Sequence, residues 1–567
     1  MLLSHVEIEG FRAIRRLELA LDPVTALIAE NSFGKTSLIE ALVLCLGAGV
    51  EGAGPTFAPD DFHVPWDAPD RPEHRVRIHL SFQESFPGEW AQASHAALAP
   101  LLAAASGRPV RHPEIRLEIT ATRAASGAPI EATVTFVDGA GTPLAAGNDP
   151  SLLGVVRRLC PVLVVRANRY FVEPARNGAP AAPPPGARLR DTDTARLAQE
   201  VELVYAKLAK GVDPAAVRQG LAAVDELYER LARSLHAEPT GPSRLLQRIA
   251  QSPRAAGREP PAPRRRWGRA EQSAAMLLLL GALLQAQGSH ALGFAATPLV
   301  VLEEPEAHLH PVLVAGTWRL VEQLPTQKLV TTNSGELLAA VPLHSIRRLG
   351  PEPEGMRAHR VGEHTLSTDD LRRVAYHIRV NRASAMFARC WLLVEGETES
   401  WLLPELARVL GFDLPSEGVR LVEFAQCGAG PLIKLARDLG IGWHLLCDGD
   451  VAGQGYAATA RELAGRDADR HVTALREPDV ELHLWRHGFE DVYRRVAHVP
   501  RGSGDPRSRA RHDKPELVIQ KAMRALSKPR LALAVSEAAA ARGPGSVPGP
   551  LRAVLETTVS LARAAGL

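Results

Sequence analysis

The sequence predicts an α/β protein in two parts: a P-loop nucleotide-binding head interrupted by a helical insertion, then a second, parallel α/β domain. Three observations predict it. A strand pattern at Ala26-Leu27-Ile28 runs into Ala29-Glu30-Asn31-Ser32-Phe33-Gly34-Lys35-Thr36-Ser37, and a helical apolar pattern follows at Leu38, Ala41, Leu42 and Cys45. The apolar run Leu299 to Leu302 ends in the acid pair Glu303-Glu304. From Cys390 onward short apolar runs alternate with helical patterns, and two of those runs end in clustered acids.

Residues 1–48 read as strand, strand, P-loop and helix, with Leu17, Leu19 and Leu21 alternating ahead of the loop. Consecutive backbone N–H groups at a helix start form a nest for phosphates. Asn31, Gly34, Lys35, Thr36 and Ser37 are the candidate nucleotide contacts. Lys35 is placed to reach the β- and γ-phosphates of ATP, and the Thr36 hydroxyl to bind Mg²⁺. Ala29 stands where the motif has its first glycine, and a strand can end on alanine.

Alternating segments at 75–83, 114–122 and 131–137 give the first third a substantial antiparallel part, and Val162 to Val165 add a short strand. Residues 174–190 are rich in Pro, Ala, Gly and Arg and read as a loop. From 192 to 236 the apolar spacing is helical, which makes this insertion a candidate dimerisation element. A second loop, 252–266, carries Arg254, Arg258, Arg264, Arg265 and Arg266, and an apolar helix follows at 273–285. Strands are expected at 298–302 and 328–332, a polar connector over 352–369, and further strands at 390–394, 420–424 and 443–447. The expected domains are 1–170 and 267–360 for the two parts of the head, 171–266 for the insertion, 361–388 for a connector, and 389–567 for the second domain with its C-terminal extension.

A chain of 567 residues is too long for one core. Its net charge of +2 confines any polyanion site to a local patch. Five scattered cysteines without zinc spacing fit buried thiols in a reducing compartment. The N-terminus lacks a signal-type apolar core, and the longest apolar run, Ala274 to Leu284, falls short of the roughly 20 residues that span a bilayer. These features predict a cytoplasmic protein without a membrane partner.

The P-loop needs a carboxylate at the end of a neighbouring strand. Glu303 is assigned to hold Mg²⁺ through water, and Glu304 to polarise the attacking water. In the second domain, Glu395 and Glu399 follow one strand, and Asp448 and Asp450 follow another. Intervening glycines allow tight turns that present both carboxylate pairs to one point. Clustered hard oxygens suit Mg²⁺ or Mn²⁺, and two such ions can stabilise the attacking and leaving oxygens of a phosphodiester.

Residues 5–42, 298–311 and 328–338 resemble the ABC-type ATPases of the SMC and RecF superfamily. Glu303 to Pro311 is similar to the corresponding segment of the OLD (overcoming lysogenization defect) family. In ABC-type ATPases a histidine that senses the γ-phosphate often follows the strand that here ends at Thr331-Thr332; this chain has Asn333 there. The resemblance implies two heads, hence a homodimer, and a signature segment for which Gly268 to Ser273 is a degenerate candidate. A strand–Glu-Gly unit followed by a strand–Asp-x-Asp unit resembles the Toprim fold of topoisomerases, primases and OLD nucleases. That likeness implies catalysis at Glu395, a further metal-assisting acid at Glu481, and a lysine facing the scissile phosphate at Lys528. The resemblance runs nearly the full length, including Asn381 to Cys390 ahead of the Toprim strand, and Asp60-Asp-Phe62, Thr331 to Leu338 and Val422 to Gln426 make it most similar to the YbjD-type subgroup of OLD-like proteins.

The implied activity is an ATP- and divalent-metal-dependent DNA endonuclease acting in phage defence or DNA repair. The alternative is a nucleotide-gated clamp whose Toprim domain binds DNA without cutting it. Non-specific phosphate contacts are expected from the arginine loop 254–269 or the stretch Arg501 to Lys514, and both stretches also read as solvated loops.

Overall fold

The computed structural model describes residues 1–30, 34–47, 54–65, 73–105, 114–123, 129–145, 149–166, 297–307, 314, 318, 321–322, 326–378, 383–499 and 514–566. The chain divides into two compact units, Met1–Ala358 and His359–Leu567.

The first unit is built on one eleven-stranded sheet. Its strands are β1 (Leu2–Phe11), β2 (Ile14–Ala20), β3 (Val24–Ile28), β4 (Arg75–Gln83), β5 (Ile115–Thr122), β6 (Glu131–Val137), β7 (Val162–Arg166), β8 (Leu299–Glu303), β9 (Gln327–Thr331), β10 (Ile346–Glu352) and β11 (Gly355–Arg360). They run in the order β6-β5-β4-β1-β2-β11-β10-β3-β9-β8-β7. The β6-β5-β4-β1-β2 part is antiparallel. The β10-β3-β9-β8-β7 part is parallel. The sequence patterns follow this division. In β1 only alternate positions such as Val6 and Ile8 face the core, whereas Leu299 to Leu302 of β8 are all buried, as a central parallel strand requires. The helix Lys35–Leu46 places Leu38, Ile39, Leu42, Cys45 and Leu46 in the same core as Leu27, Val301 and Leu329.

Two expectations are corrected. Three strands precede the phosphate loop rather than two, because β1 and β2 pair through a tight turn at Arg12, whose φ is 47°. The segment 352–369 is not merely a connector: β11 lies within it and pairs parallel with β2, Met356 opposite Leu17. Its polar sequence conceals a strand that is recruited by its neighbours.

The second unit has a four-stranded sheet of β12 (Cys390–Val394), β13 (Val419–Glu423), β14 (Gly442–Cys447) and β15 (Val472–Ala474), in the order β13-β12-β14-β15. Every pairing is parallel. The helices Glu397–Val409, Ala429–Asp438 and Val451–Ala464 make the crossovers. Later helices, Lys528–Arg542 and Gly549–Ala564 among them, share one core with β12 and helix Glu397–Val409 through Leu402, Leu406, Leu531, Val535, Val554 and Leu555. The five cysteines are buried free thiols. The insertion at 192–236, the helix at 273–285, the signature candidate at 268–273, both loops (174–190 and 252–266), and the arginines of 501–511 lie outside the described residues.

Candidate functional site

In the first unit, the C-terminal ends of three adjacent parallel strands, β3, β9 and β8, meet at one edge, the place where open α/β sheets present binding groups. Gly34 takes a left-handed φ of 60° at the start of helix Lys35–Leu46, and a Cβ there would lie 2.9 Å from Cε of Met356. Only glycine fits that turn without strain.

Lys35 is buried, with its Nζ donating to the Ala29 carbonyl at 2.8 Å and to Asn333 Oδ1 at 2.7 Å. Asn333 Nδ2 in turn donates to Glu304 Oε1 at 2.5 Å. Burial pushes the Lys35 ammonium pKa down, and Glu304, Glu306 and Glu303 pull it partly back. The Thr36 hydroxyl donates to Glu303 Oε1 at 3.2 Å. Glu304 holds a positive φ of 48° while its N–H donates to the Thr331 carbonyl at 3.0 Å. That conformation costs a non-glycine residue about 1 kcal/mol and turns the carboxylate out of the strand line.

The structure therefore brings together Lys35, Thr36, Glu303, Glu304 and Asn333. Ser37 is buried in the same helix, with its Oγ 3.4 Å from the Ala13 N–H that donates to it. Asn31 lies outside the described residues. One participant was not singled out for this site by sequence reasoning. Glu306 accepts from the Thr332 hydroxyl at 2.6 Å and the Asn333 N–H at 3.0 Å, and so fixes the segment that carries Asn333. Its Oε2 is buried with no hydrogen-bond partner among the described residues.

In the second unit the acids emerge at the ends of β12 and β14, which are neighbours in the sheet. Glu395 directly follows β12 and accepts a hydrogen bond from the Asp448 backbone N–H. Glu399 is buried in the first turn of helix Glu397–Val409. Asp450 caps helix Val451–Ala464, its Oδ1 accepting from the Gly453 N–H at 2.7 Å. The turn between Asp448 and Asp450 has no room for side chains. A Cβ on Gly449 would lie 2.5 Å from the carbonyl oxygens of Leu475 and Glu477, and one on Gly453 would lie 2.1 Å from that of Asp448. Glu481 is buried and accepts from the Thr398 hydroxyl at 2.9 Å, which ties it to the Glu399 helix.

Burial, followed by the fields of Glu399, Glu395, Glu481 and Asp479, pushes the Asp448 carboxyl up to about 8. Burial and Asp450 raise Glu395, while the exposed Lys528 pulls it down; burial is also the main cause of the rise at Glu399. Glu395 Oε2 and Asp448 Oδ1 are buried without a hydrogen-bond partner among the described residues. Hard, partnerless oxygens of this kind fit a divalent cation. Among the described residues, no three His, Cys, Asp or Glu side chains already close into a metal-holding group. The structure thus collects Glu395, Glu399, Asp448, Asp450, Glu481 and Lys528 in one electrostatic neighbourhood without closing a coordination shell. Thr398 and the buried pair His483–Glu477, whose Nδ1 and Oε2 are 2.7 Å apart, escaped sequence reasoning because their role depends on packing.

A lysine at a helix start that meets acid-ended parallel strands, followed in the same chain by a parallel unit with acidic strand ends, defines a two-unit α/β protein with a P-loop-like first site. Residues 1–385 match the family model described as "Protein of unknown function (DUF2813)", and residues 386–450 match "Overcoming lysogenization defect protein-like, TOPRIM domain". The chain belongs to the DUF2813 family and carries an OLD-like Toprim domain. It is 38% identical over 570 residues to the uncharacterized protein YbjD of Escherichia coli (strain K12), which covers 99% of each chain. It is 24% identical over 224 residues to the Old nuclease of Escherichia phage P2, 37% of this chain and 38% of that one. Among solved structures it is similar to the C-terminal region of the Burkholderia pseudomallei OLD protein, with 23% identity, 31% of this chain and 99% of that one covered, and a TM-score of 0.27. It is also similar to the SMC head domain from Thermotoga maritima, with 16% identity, coverages of 64% and 100%, and a TM-score of 0.34. No helix of the described residues is long and apolar enough to cross a membrane.

Proposed function

We propose that this chain is an ATP-hydrolysing, divalent-metal-dependent DNA endonuclease, with ATP used by the first unit and phosphodiester cleavage carried out by the second. The partnerless buried oxygens of Glu395 and Asp448, on adjacent strand ends within a cluster of acids, carry the proposal.

In the first unit, Lys35 neutralises the β- and γ-phosphates after exchanging its bond to Asn333 for one to the nucleotide. Thr36 and Glu303, already in contact, supply hard oxygens for Mg²⁺. Glu304 orients the attacking water, and Asn333 holds that carboxylate in place.

In the second unit, Glu395, Glu399, Asp448, Asp450 and Glu481 are the ligands proposed for Mg²⁺ or Mn²⁺. Bound divalent ions would neutralise the carboxylates and offset charge developing on the phosphate. Glu481 is held toward this site by Thr398. Lys528 lies within the field of Glu395 and is proposed to face the scissile phosphate, without reading its sequence. Lys528→Ala is expected to slow nicking by about 10²-fold, the loss typical of one charge-stabilising donor, while Mn²⁺ affinity stays as in the wild type. Calorimetric Mn²⁺ titration beside a nicking assay separates the two effects.

Asp448 carries a proton through most of the neutral range, because its carboxyl titrates near 8. A cation must displace that proton. Mn²⁺ affinity is therefore expected to rise about tenfold per pH unit up to pH 8 and to level off above it. Titrations at pH 6.5, 7.5 and 8.5 check this; a flat profile would remove Asp448 from the ligand set. The function itself is tested by incubating the purified chain with supercoiled and linear DNA, with Mg²⁺, Mn²⁺ or EDTA, and with and without ATP. Metal-dependent conversion of supercoiled plasmid to open circles is expected.

A further inference from the structure

We infer that a pocket at the β13 edge of the second unit's sheet receives one unpaired nucleotide of the DNA strand being cut. This deepens, and rests on, the nuclease reading of that unit. The pocket is a recess of about 490 Å³ lined by His377, Ser384, Arg420, Leu421, Glu423 and Gln426. Three of these residues belong to β13, the edge strand, and Ser384 comes from the short turn Ala383–Phe387.

The lining has the chemistry of a nucleotide site. It offers one guanidinium for a phosphate. The exposed Ser384 hydroxyl and Gln426 amide can pair with the donors and acceptors of a base edge, and Leu421 supplies apolar surface. Small-ligand pockets of roughly 300–1,000 Å³ combine a few such polar groups with apolar walls. A recess of this size admits one base but not a stacked duplex. The occupant must therefore be single-stranded or turned out of the helix.

Position argues the same way. Glu423 ends β13 directly opposite Val394, the last residue of β12, and Glu395 is the next residue along. Neighbouring strands lie about 4.8 Å apart. Ser400, one residue beyond Glu399, donates its hydroxyl hydrogen to Glu423 Oε1 at 2.7 Å. The pocket and the acid cluster are thus built on the same strand ends and the same helix start. A nucleotide in the pocket would belong to the strand whose phosphate reaches the acids. One large exposed aromatic residue adjoins this wall in sequence: Tyr376, 64% exposed, next to His377. A second, Trp401, 48% exposed, follows Ser400, which bonds the wall residue Glu423. Exposed aromatic faces are the groups on which single-stranded nucleic acids stack.

The test uses the full-length protein in EDTA, so that binding is read without cleavage. The probes are a fluorescein-labelled 12-nucleotide oligo-dT, the same length of duplex, and dTMP as competitor. The oligonucleotide is expected to bind more tightly than either the duplex or dTMP. Arg420→Ala is expected to weaken its binding about tenfold, as loss of a charge-assisted bond should, with ATP hydrolysis unchanged. An oligonucleotide carrying 4-thiothymidine is expected to cross-link to wild-type peptides containing Ser384 or residues 420–426. This second reading keeps the proposal testable even if the variant folds poorly. Cross-links confined to other peptides, no binding of the single strand, or equal affinity for dTMP and oligonucleotide would each overturn the inference. Nicking by the wild type with cross-links elsewhere would reject the pocket alone. Cross-links in the pocket without any metal-dependent nicking would reject the nuclease reading and leave the pocket standing.

Discussion

Lys35→Ala is expected to abolish ATP hydrolysis and to weaken nucleotide binding about 10²-fold, the upper range for one charge-assisted contact. The Lys35 ammonium joins the Ala29 carbonyl to Asn333 while Glu303, Glu304 and Glu306 surround it. Its loss removes the phosphate contact and also leaves like charges without their counter-ion. Glu304→Gln is the informative companion. Glutamine keeps an oxygen that can accept from Asn333 Nδ2, so the local geometry should survive and ATP should still bind, but hydrolysis should fall about 10²-fold for want of a carboxylate to polarise water. Fluorescent-nucleotide titration with a phosphate-release assay measures both. Hydrolysis at the wild-type rate in Glu304→Gln would move the water-polarising role elsewhere, with Glu306 the next carboxylate to test.

Asp448→Ala is expected to stop DNA cleavage while leaving ATP hydrolysis intact. Loss of a group that merely supports a metal ligand costs about 10–100-fold, so loss of a proposed ligand should cost at least about 10²-fold. The same substitution should alter how the metal-free protein responds to pH. The folded-state Asp448 carboxyl titrates near 8, well above the ordinary 3.8, so the native state holds more protons than the unfolded chain between those values. Its contribution to stability is fully present below about pH 4 and is lost as pH rises through 8. In EDTA the wild type should therefore melt at progressively lower temperature from pH 5 to pH 8, and Asp448→Ala should flatten that slope. Added Mn²⁺ should raise the wild-type melting temperature most at pH 8, where the carboxylate is free to bind it.

Much of the site was legible because its residues sit where a pattern changes. Lys35 and Thr36 stand between a strand period and a helical one, Glu303 and Glu304 end an apolar run, and Asp448 and Asp450 flank a glycine at the end of another. A carboxylate at the end of a buried strand needs a reason to be there, and that makes it visible. Other parts depend on pairing across distant segments. β11 is polar and short, and it becomes a strand only beside β2. Glu306 reads as one acid in a run of polar residues until β9 delivers Thr332 and Asn333 to it. Thr398 gains its role from Glu481, 83 residues away. Arg420 carries no motif, Gln426 only closes a segment of family resemblance, and a recess on a sheet edge leaves no periodicity in the sequence. Gly449 was legible only as a turn residue; that neighbouring carbonyls leave no room for a Cβ there is a fact of packing.

The most direct measurement is a plasmid-nicking time course in Mn²⁺ at pH 8, with wild type and Asp448→Ala side by side and ATP hydrolysis recorded on the same samples. The expected result is open-circle product from the wild type, none with EDTA, none from the variant, and equal ATP hydrolysis by both. Nicking by Asp448→Ala at the wild-type rate would contradict the assignment of cleavage to the acidic strand ends.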